Sequence, residues 1–209
     1  MNPDLDGSES QKPYMDVPVF PQEGPIHLEE ILGRGRPLEL EIGFGKGHFI
    51  MERALYRPEA TILGIETRRK WVHLVESRAQ KRATGNVIVR HGDARALLKR
   101  MQPDRCFERV FINFPDPWWK AKHAKRMVVT QDLGRDLVRL LVPGGEIMIQ
   151  TDVDFRADAY LQELSMVKEL EPLGQGGRVE ENPYGARSLR EIRCEELGMP
   201  VYRILFCVR

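Results

Sequence analysis

Asp116 stands between Pro115 and Pro117, inside a stretch that reads NFPDPWWKAKHAKR over residues 113–126. The two prolines fix φ on both sides of the carboxylate and cut its freedom, which suits an acid held ready for chemistry. Trp118 can stack on a nucleobase, a contact worth ~1–3 kcal/mol in single-stranded recognition. Beyond it come Lys120, Lys122, His123, Lys125 and Arg126, with no acid until Asp132. Such cations meet phosphates, position a nucleic acid without reading its sequence, and weaken with salt.

Four more groups have the types and places that chemistry needs. Gly43, Gly45 and Gly47 form a G-x-G-x-G run, which lets backbone approach a ligand closely. A dinucleotide fingerprint needs G-x-G-x-x-G. His48 and Ile50 occupy the positions where its third glycine would fall, so a pyrophosphate site is disfavoured. Glu66 follows the glycines by about 20 residues, where an acid accepts ribose hydroxyls. Asp93 is placed to accept an adenine's exocyclic amine or, more simply, to cap the helix beginning at Ala94. Glu41 lies two residues before the first glycine, where burial is costly unless it is paired.

These residues need elements to hold them. Residues 38–43, 61–66, 86–91, 109–114, 146–152 and 201–208 read as strands, the last near the end of the chain. Residues 48–56, 69–83, 132–145 and 154–167 read as helices, and 94–101 as a short one. Strands alternating with helices predict an α/β fold, a doubly wound, mostly parallel sheet in three α/β/α layers. Ligands then sit at the carboxyl ends of the strands, where the glycine run, Glu66, Asp93 and Asp116 all fall.

The chain has 209 residues and a net charge of +1. Residues 1–30 hold seven acids and one lysine, so the remainder carries +7. An acidic, irregular arm over residues 1–30 and a single domain over 31–209 are expected. The amino terminus is acidic rather than basic-then-apolar, unlike a secretory signal. No apolar run approaches the roughly 18 residues that span a bilayer. Three cysteines without metal spacing argue against a disulfide scaffold or metal site and for a reducing cytoplasm.

Glycine loop, ribose acid and adenine acid at successive strand tips resemble the S-adenosylmethionine site of Rossmann-like class I methyltransferases. The stretch around Asp116 resembles more specifically the motif of the bacterial tRNA (guanine-N7-)-methyltransferases, N-F-x-D-P-W followed by a lysine, a histidine and further bases. LEIGFGKG, GIE, GDA, QTD and Ser188-Leu189-Arg190-Glu191 match that family in the same order, and the resemblance spans roughly residues 38–208. It implies methyl transfer from S-adenosylmethionine, leaving S-adenosylhomocysteine, to N7 of the variable-loop guanine of tRNA conventionally numbered 46. It implies a cytoplasmic monomer or homodimer that needs no metal. Glu41, Glu66, Asp93 and Asp116 would surround the cofactor with the three glycines, and Asp116 would also be catalytic. Lys120, Asp152, Ser188, Leu189, Arg190 and Glu191 would touch the target nucleotide. Lys122, His123, Ala124, Lys125, Arg126 and Met127 would contact the RNA backbone.

The chain departs from the family at Trp119, where Pro or His is usual, at Met127, where Arg is common, and at Ser188, where Thr is usual. Guanine N7 carries a free lone pair and needs no general base, so the task is alignment. Asp116 can stabilise positive charge on the purine or accept from its N1–H and exocyclic amine, with Asp152 and Glu191 sharing that edge. Two other readings stand beside this one. The N-P-P-Y/F/W motif of exocyclic-amine methyltransferases is loosely similar to NFPDPW. A methyltransferase fold that only binds RNA is the other; a Rossmann dehydrogenase is a distant third.

Overall fold

The computed structural model describes residues 13–116 and 127–209. In chain order the elements are β1 (Ile26–His27), α1 (Leu28–Leu32), β2 (Leu38–Ile42), α2 (His48–Tyr56), β3 (Thr61–Glu66), α3 (Arg69–Lys81), β4 (Val87–His91) and α4 (Ala94–Leu97). After a 3-10 turn follow β5 (Met101–Gln102), β6 (Phe107–Asn113), α5 (Gln131–Leu140), β7 (Leu141–Thr151), α6 (Asp154–Ser165), β8 (Leu170–Pro172), β9 (Arg178–Val179), α7 (Leu189–Glu196) and β10 (Tyr202–Val208).

The main sheet has the order β4-β3-β2-β6-β7-β10-β8, with β9 on β10. Strands β4 through β7 pair in parallel, whereas β10 runs antiparallel to β7 and β8. The chain winds outward from β2 to β4, then returns to β6 beside β2. The crevice between β2 and β6 is therefore the switch point, where open α/β sheets bind ligands.

The sequence pattern explains the layers. β3, TILGIE, is buried at every position, as a central parallel strand covered on both faces must be. Alternate residues of β2 divide: Leu40 and Ile42 join the core shared with α5 and α6, and Glu39 and Glu41 point to the opposite face. On that face α2 and α3 pack through Ile50, Val72 and Val75. α2 approaches β3 so closely that a Cβ at Gly64 would lie 2.8 Å from Ile50 Cδ1.

Three expectations need correcting. The helix expected over 132–145 ends at Leu140, and Pro143-Gly144-Gly145 belongs to β7, which continues directly to Thr151. The carboxyl-terminal quarter holds more structure than expected, since α7 lies between β9 and β10. The segment expected to be an irregular arm through residue 30 has no helix or strand over residues 13–25, touches the core there at single residues, and enters β1 and α1 from Ile26. Val17 and Phe20 are buried, Ile26 and Leu28 reach the main core, and His91 N–H donates to the Pro18 carbonyl at 2.8 Å on the β4 edge.

Candidate active site

Four strand tips converge on one cavity of about 730 Å³, within the range of small-molecule and cofactor sites. Its floor is the turn from β2 into α2. Gly47 has φ +75, and a Cβ there would lie 2.3 Å from Val75 Cγ2 on α3. Only glycine satisfies both the left-handed backbone and that contact. Gly43 and Gly45 also have positive φ and line the cavity.

Glu66, at the end of β3, is tied to this turn. It accepts from the Gly45 N–H at 3.0 Å through Oε2 and from the Arg68 N–H at 2.9 Å through Oε1. A carboxylate that stitches two strand tips together still has lone pairs to offer a ligand. Asp93, at the next tip, caps α4 by accepting from the Arg95 N–H at 3.0 Å and is gripped by the Arg95 guanidinium at 2.6 Å. That hydrogen-bonded guanidinium holds its carboxyl below the usual carboxylate range. The helix-capping role is real, and Asp93 faces the cavity as well.

Glu41 is the unusual member. It is 1% exposed, accepts from Asn113 Nδ2 at 3.0 Å through Oε1, and leaves Oε2 without a partner among the described residues. Burial pushes its carboxyl up to about 8, opposed by the Asn113 hydrogen bond and reinforced by the nearby Glu66 charge. A cation entering the cavity would satisfy Oε2 and return the group to its ionised form.

Asn113 ends β6, and the chain turns sharply after it. Phe114 has φ +49, a conformation that bulky residues adopt only when the surroundings impose it. Its N–H donates to the Gln150 carbonyl at 2.8 Å. That turn brings Pro115 and Asp116 to the cavity rim. Asp116 is 58% exposed, with Arg68 at 3.5 Å. Arg68 was missed in the sequence; its place two residues after Glu66 at a strand tip was the available signal. Trp118, Lys120, Lys122, His123, Ala124, Lys125 and Arg126 lie outside the described residues.

The far wall belongs to α7. Ser188 caps it, accepting from the Glu191 N–H at 3.1 Å, and Ser188, Leu189 and Arg190 line the cavity. Asp152, at the tip of β7, holds Arg190 through Nε at 3.0 Å. This wall is clasped to α2: His48 Nδ1–H donates to the Arg187 carbonyl at 2.8 Å, and the Arg187 N–H donates to Glu52 at 2.6 Å. His48 and Glu52 are a second pair that the motifs did not reveal.

One expected nucleotide contact stands elsewhere. Glu191 is fully buried and faces inward, accepting from Gln150 Nε2 at 2.9 Å, Arg203 at 3.0 Å and Asn182 at 3.2 Å. The physical reason is helical direction: three residues past the cap, its side chain points to the sheet while Ser188 to Arg190 face the cavity. Met127, expected on the RNA backbone, turns its sulfur to Arg156 at 2.9 Å. Among the described residues no cluster of three or more His, Cys, Asp or Glu is placed to hold a metal.

Comparison with known proteins agrees with this geometry. A protein-family model described as "Putative methyltransferase" matches residues 35–204. A tRNA (guanine-N(7)-)-methyltransferase of Myxococcus xanthus is 36% identical over 182 residues, covering 87% of this chain and 88% of that protein. One from Synechococcus sp. is 33% identical, covering 86% of this chain and 76% of that protein. Among solved structures, the 16S rRNA methyltransferase KamB superposes with a TM-score of 0.64 at 13% identity, covering 92% of this chain and 99% of that one. A precorrin-6y C5,15-methyltransferase from Geobacter metallireducens gives 0.56 at 16% identity, covering 86% and 84%. At such identities these two speak for the Rossmann-like methyltransferase fold alone.

Proposed function

The chain belongs to the tRNA (guanine-N(7)-)-methyltransferase family, and from that premise we propose that it methylates N7 of the variable-loop guanine of tRNA conventionally numbered 46. One observation carries the reading. A single cavity runs from the acids Glu41, Glu66 and Asp93 to the polar wall of Ser188 and Arg190, with Asp116 on its rim. A cofactor and a nucleotide can meet there only if both ends are used.

The residues present fit S-adenosylmethionine. The buried, unpartnered Oε2 of Glu41 asks for a cation, and the cofactor's methionine end carries one. Glu66 offers lone pairs to ribose hydroxyls, and Asp93 faces the same cavity as an acceptor for an adenine amine. When bound, the cofactor supplies an electrophilic methyl group on a sulfonium.

The chain's own part is binding and alignment. Glu41 and Asn113 fix the charged end, and the glycine turn lets backbone close around it. The strained Phe114 turn presents Asp116 to the guanine. Because N7 has its own lone pair, no side chain must remove a proton before attack. Asp116 offsets the positive charge that develops on the purine, or accepts from N1–H and the exocyclic amine, which excludes adenine. Asp152 orients Arg190 toward the same nucleotide, with Ser188 and Leu189 beside it. Lys120 and residues 122–126 would supply phosphate contacts. Glu191 serves this site by anchoring α7.

We take residues 31–209 as one methyltransferase domain and the packed segment before it as an addition. No helix among the described residues is long and apolar enough to cross a membrane; a tRNA substrate supports a cytoplasmic location. The reading is tested by incubating unmodified tRNA with the protein and methyl-labelled cofactor, then mapping the labelled nucleoside.

A further inference from the structure

We propose that the outward and cavity-side faces of α3, continuous with Lys46 of the glycine turn, form a second RNA-contact surface that takes the phosphodiester backbone of the substrate beside the target nucleotide. The inference rests on the tRNA reading above and adds where the substrate lies.

Charge on α3 and its caps is one-sided: Arg68, Arg69, Lys70, Arg78, Lys81 and Arg82 stand against Glu76 alone. Many arginines elsewhere in the fold are held by acids, while Arg36 and Arg100 donate to backbone carbonyls. Arg53, Arg57 and Arg109 share Glu39, Arg135 holds Asp132, and Arg190 holds Asp152. Among the described residues, Lys70, Arg78, Lys81 and Arg82 form no ion pair. Arg78 donates to the Lys46 carbonyl at 2.9 Å, and Lys70 Nζ lies 4.5 Å from the Trp71 ring centre. Across the sheet α6 has the opposite balance, with Asp154, Asp158 and Glu163 against Arg156.

A basic helix face is often only solvated. The placement here argues for more. At about 100° per residue, Trp71, Arg78 and Arg82 fall within about 20° of one line along α3, flanked outward by Lys70 and Lys81. The buried residues Val72, Val75 and Ala79 occupy the neighbouring face. The line starts in the cavity wall, where Trp71 and Lys46 both stand, and runs about 16 Å away from it. Lys46 Nζ also reaches to 5.7 Å from the Trp71 ring centre. Cations left unpaired along a track that begins at the active-site rim match a polyanion whose one nucleotide enters the cavity. Phosphate contacts of this kind position RNA without reading it.

The test compares the full-length protein with a triple variant, Lys70→Ala, Lys81→Ala and Arg82→Ala, none of which lines the cavity. Unmodified tRNA is titrated at several salt concentrations, and KM, kcat and S-adenosylmethionine affinity are measured. The slope of log K against log salt should shrink by about 2–3, from roughly 0.7–0.9 for each lost phosphate contact. The KM for tRNA should rise about tenfold or more, with kcat at saturating tRNA and cofactor affinity within about twofold. A charge-keeping variant, Lys70→Arg, Lys81→Arg and Arg82→Lys, should restore the wild-type slope. An unchanged slope and KM in a folded triple variant that still forms 7-methylguanosine would overturn this surface and leave the functional reading standing. Wild-type protein that forms no 7-methylguanosine would overturn that reading and this inference with it.

Discussion

Glu39 and Glu41 stand two residues apart on the same face of β2, both buried, and the fold treats them oppositely. Glu39 accepts from Arg53 at 2.8 and 2.7 Å, and from Arg57 at 3.3 Å and Arg109 at 3.2 Å. Glu41 accepts one side-chain hydrogen bond, from Asn113, and has the Ile50 backbone nearby, but its Oε2 meets no well-formed partner among the described residues. A saturated buried carboxylate is a structural tie. An unsaturated one, costly to bury and facing a cavity, is kept for a ligand.

That contrast gives a pH dependence. The folded state holds the Glu41 proton up to about 8, whereas the reference carboxyl releases it near 4.5. The group's stability contribution is thus complete below 4.5 and is lost as pH rises toward 8, by up to about 1.4 kcal/mol per pH unit. Urea unfolding of the ligand-free protein between pH 5 and 8 should show this slope, and Glu41→Gln should lack it. Equal slopes in the two proteins would refute the assignment.

Gly47→Ala should destabilise the protein by about 2–4 kcal/mol, because the new Cβ meets Val75 and φ is +75. At roughly 2–4 °C per kcal/mol for a chain of this size, thermal melting should fall by about 5–15 °C. Gly43→Ala has open space around its Cβ and should cost less, its strain being backbone alone.

Glu191 and Arg190 are neighbours with separable roles. Glu191→Ala strands Arg203, Gln150 and Asn182 around a buried gap and should cost about 3–5 kcal/mol in stability. Arg190→Ala loses an exposed pair with Asp152, which contributes about 1 kcal/mol or less. Its effect should appear instead as a raised KM for tRNA at nearly unchanged melting. Parallel melting curves and kinetics of the two variants distinguish them; equal destabilisation would contradict the separation.

How much of this was legible in advance follows from the kind of signal each residue left. The glycine turn, Glu66, Asp93 and Asp116 were found because strand tips are readable from period and the tips of α/β sheets are where ligands bind. α2 and β3 fall on their expected residues because Phe49, Ile50, Met51 and Ala54 recur along one helix face and Ile62, Leu63 and Ile65 fill a short apolar strand. α7 leaves only a short local signal, the capping-box spacing of Ser188 and Glu191, in a stretch whose motif draws attention first. Pro143-Gly144-Gly145 looks like a helix stop, and only the pairing of Leu141 with Phe107 on β6 shows that β7 begins before it. The Glu41–Asn113 bond and the His48 and Glu52 clasp on Arg187 join residues far apart in sequence, so no local pattern announces them. The inward turn of Glu191 depends on Arg203 in β10, which is equally remote.

Asp116→Ala should cut methyl transfer by at least about 10², the scale of losing one group that stabilises developing charge. The side chain is 58% exposed and its pair with Arg68 is a surface one, so unfolding free energy should change by less than about 1 kcal/mol. Near wild-type turnover in this variant would remove Asp116 from the chemistry.

The central claim is that this cavity delivers a methyl group to guanine N7 of tRNA. The direct measurement is nucleoside analysis of unmodified tRNA after incubation with the protein and methyl-labelled S-adenosylmethionine, with the labelled site mapped. The account predicts label in 7-methylguanosine alone, at the variable-loop guanine conventionally numbered 46. Label in an N6- or N2-methylated base, or no transfer by protein shown to bind the cofactor, would contradict it.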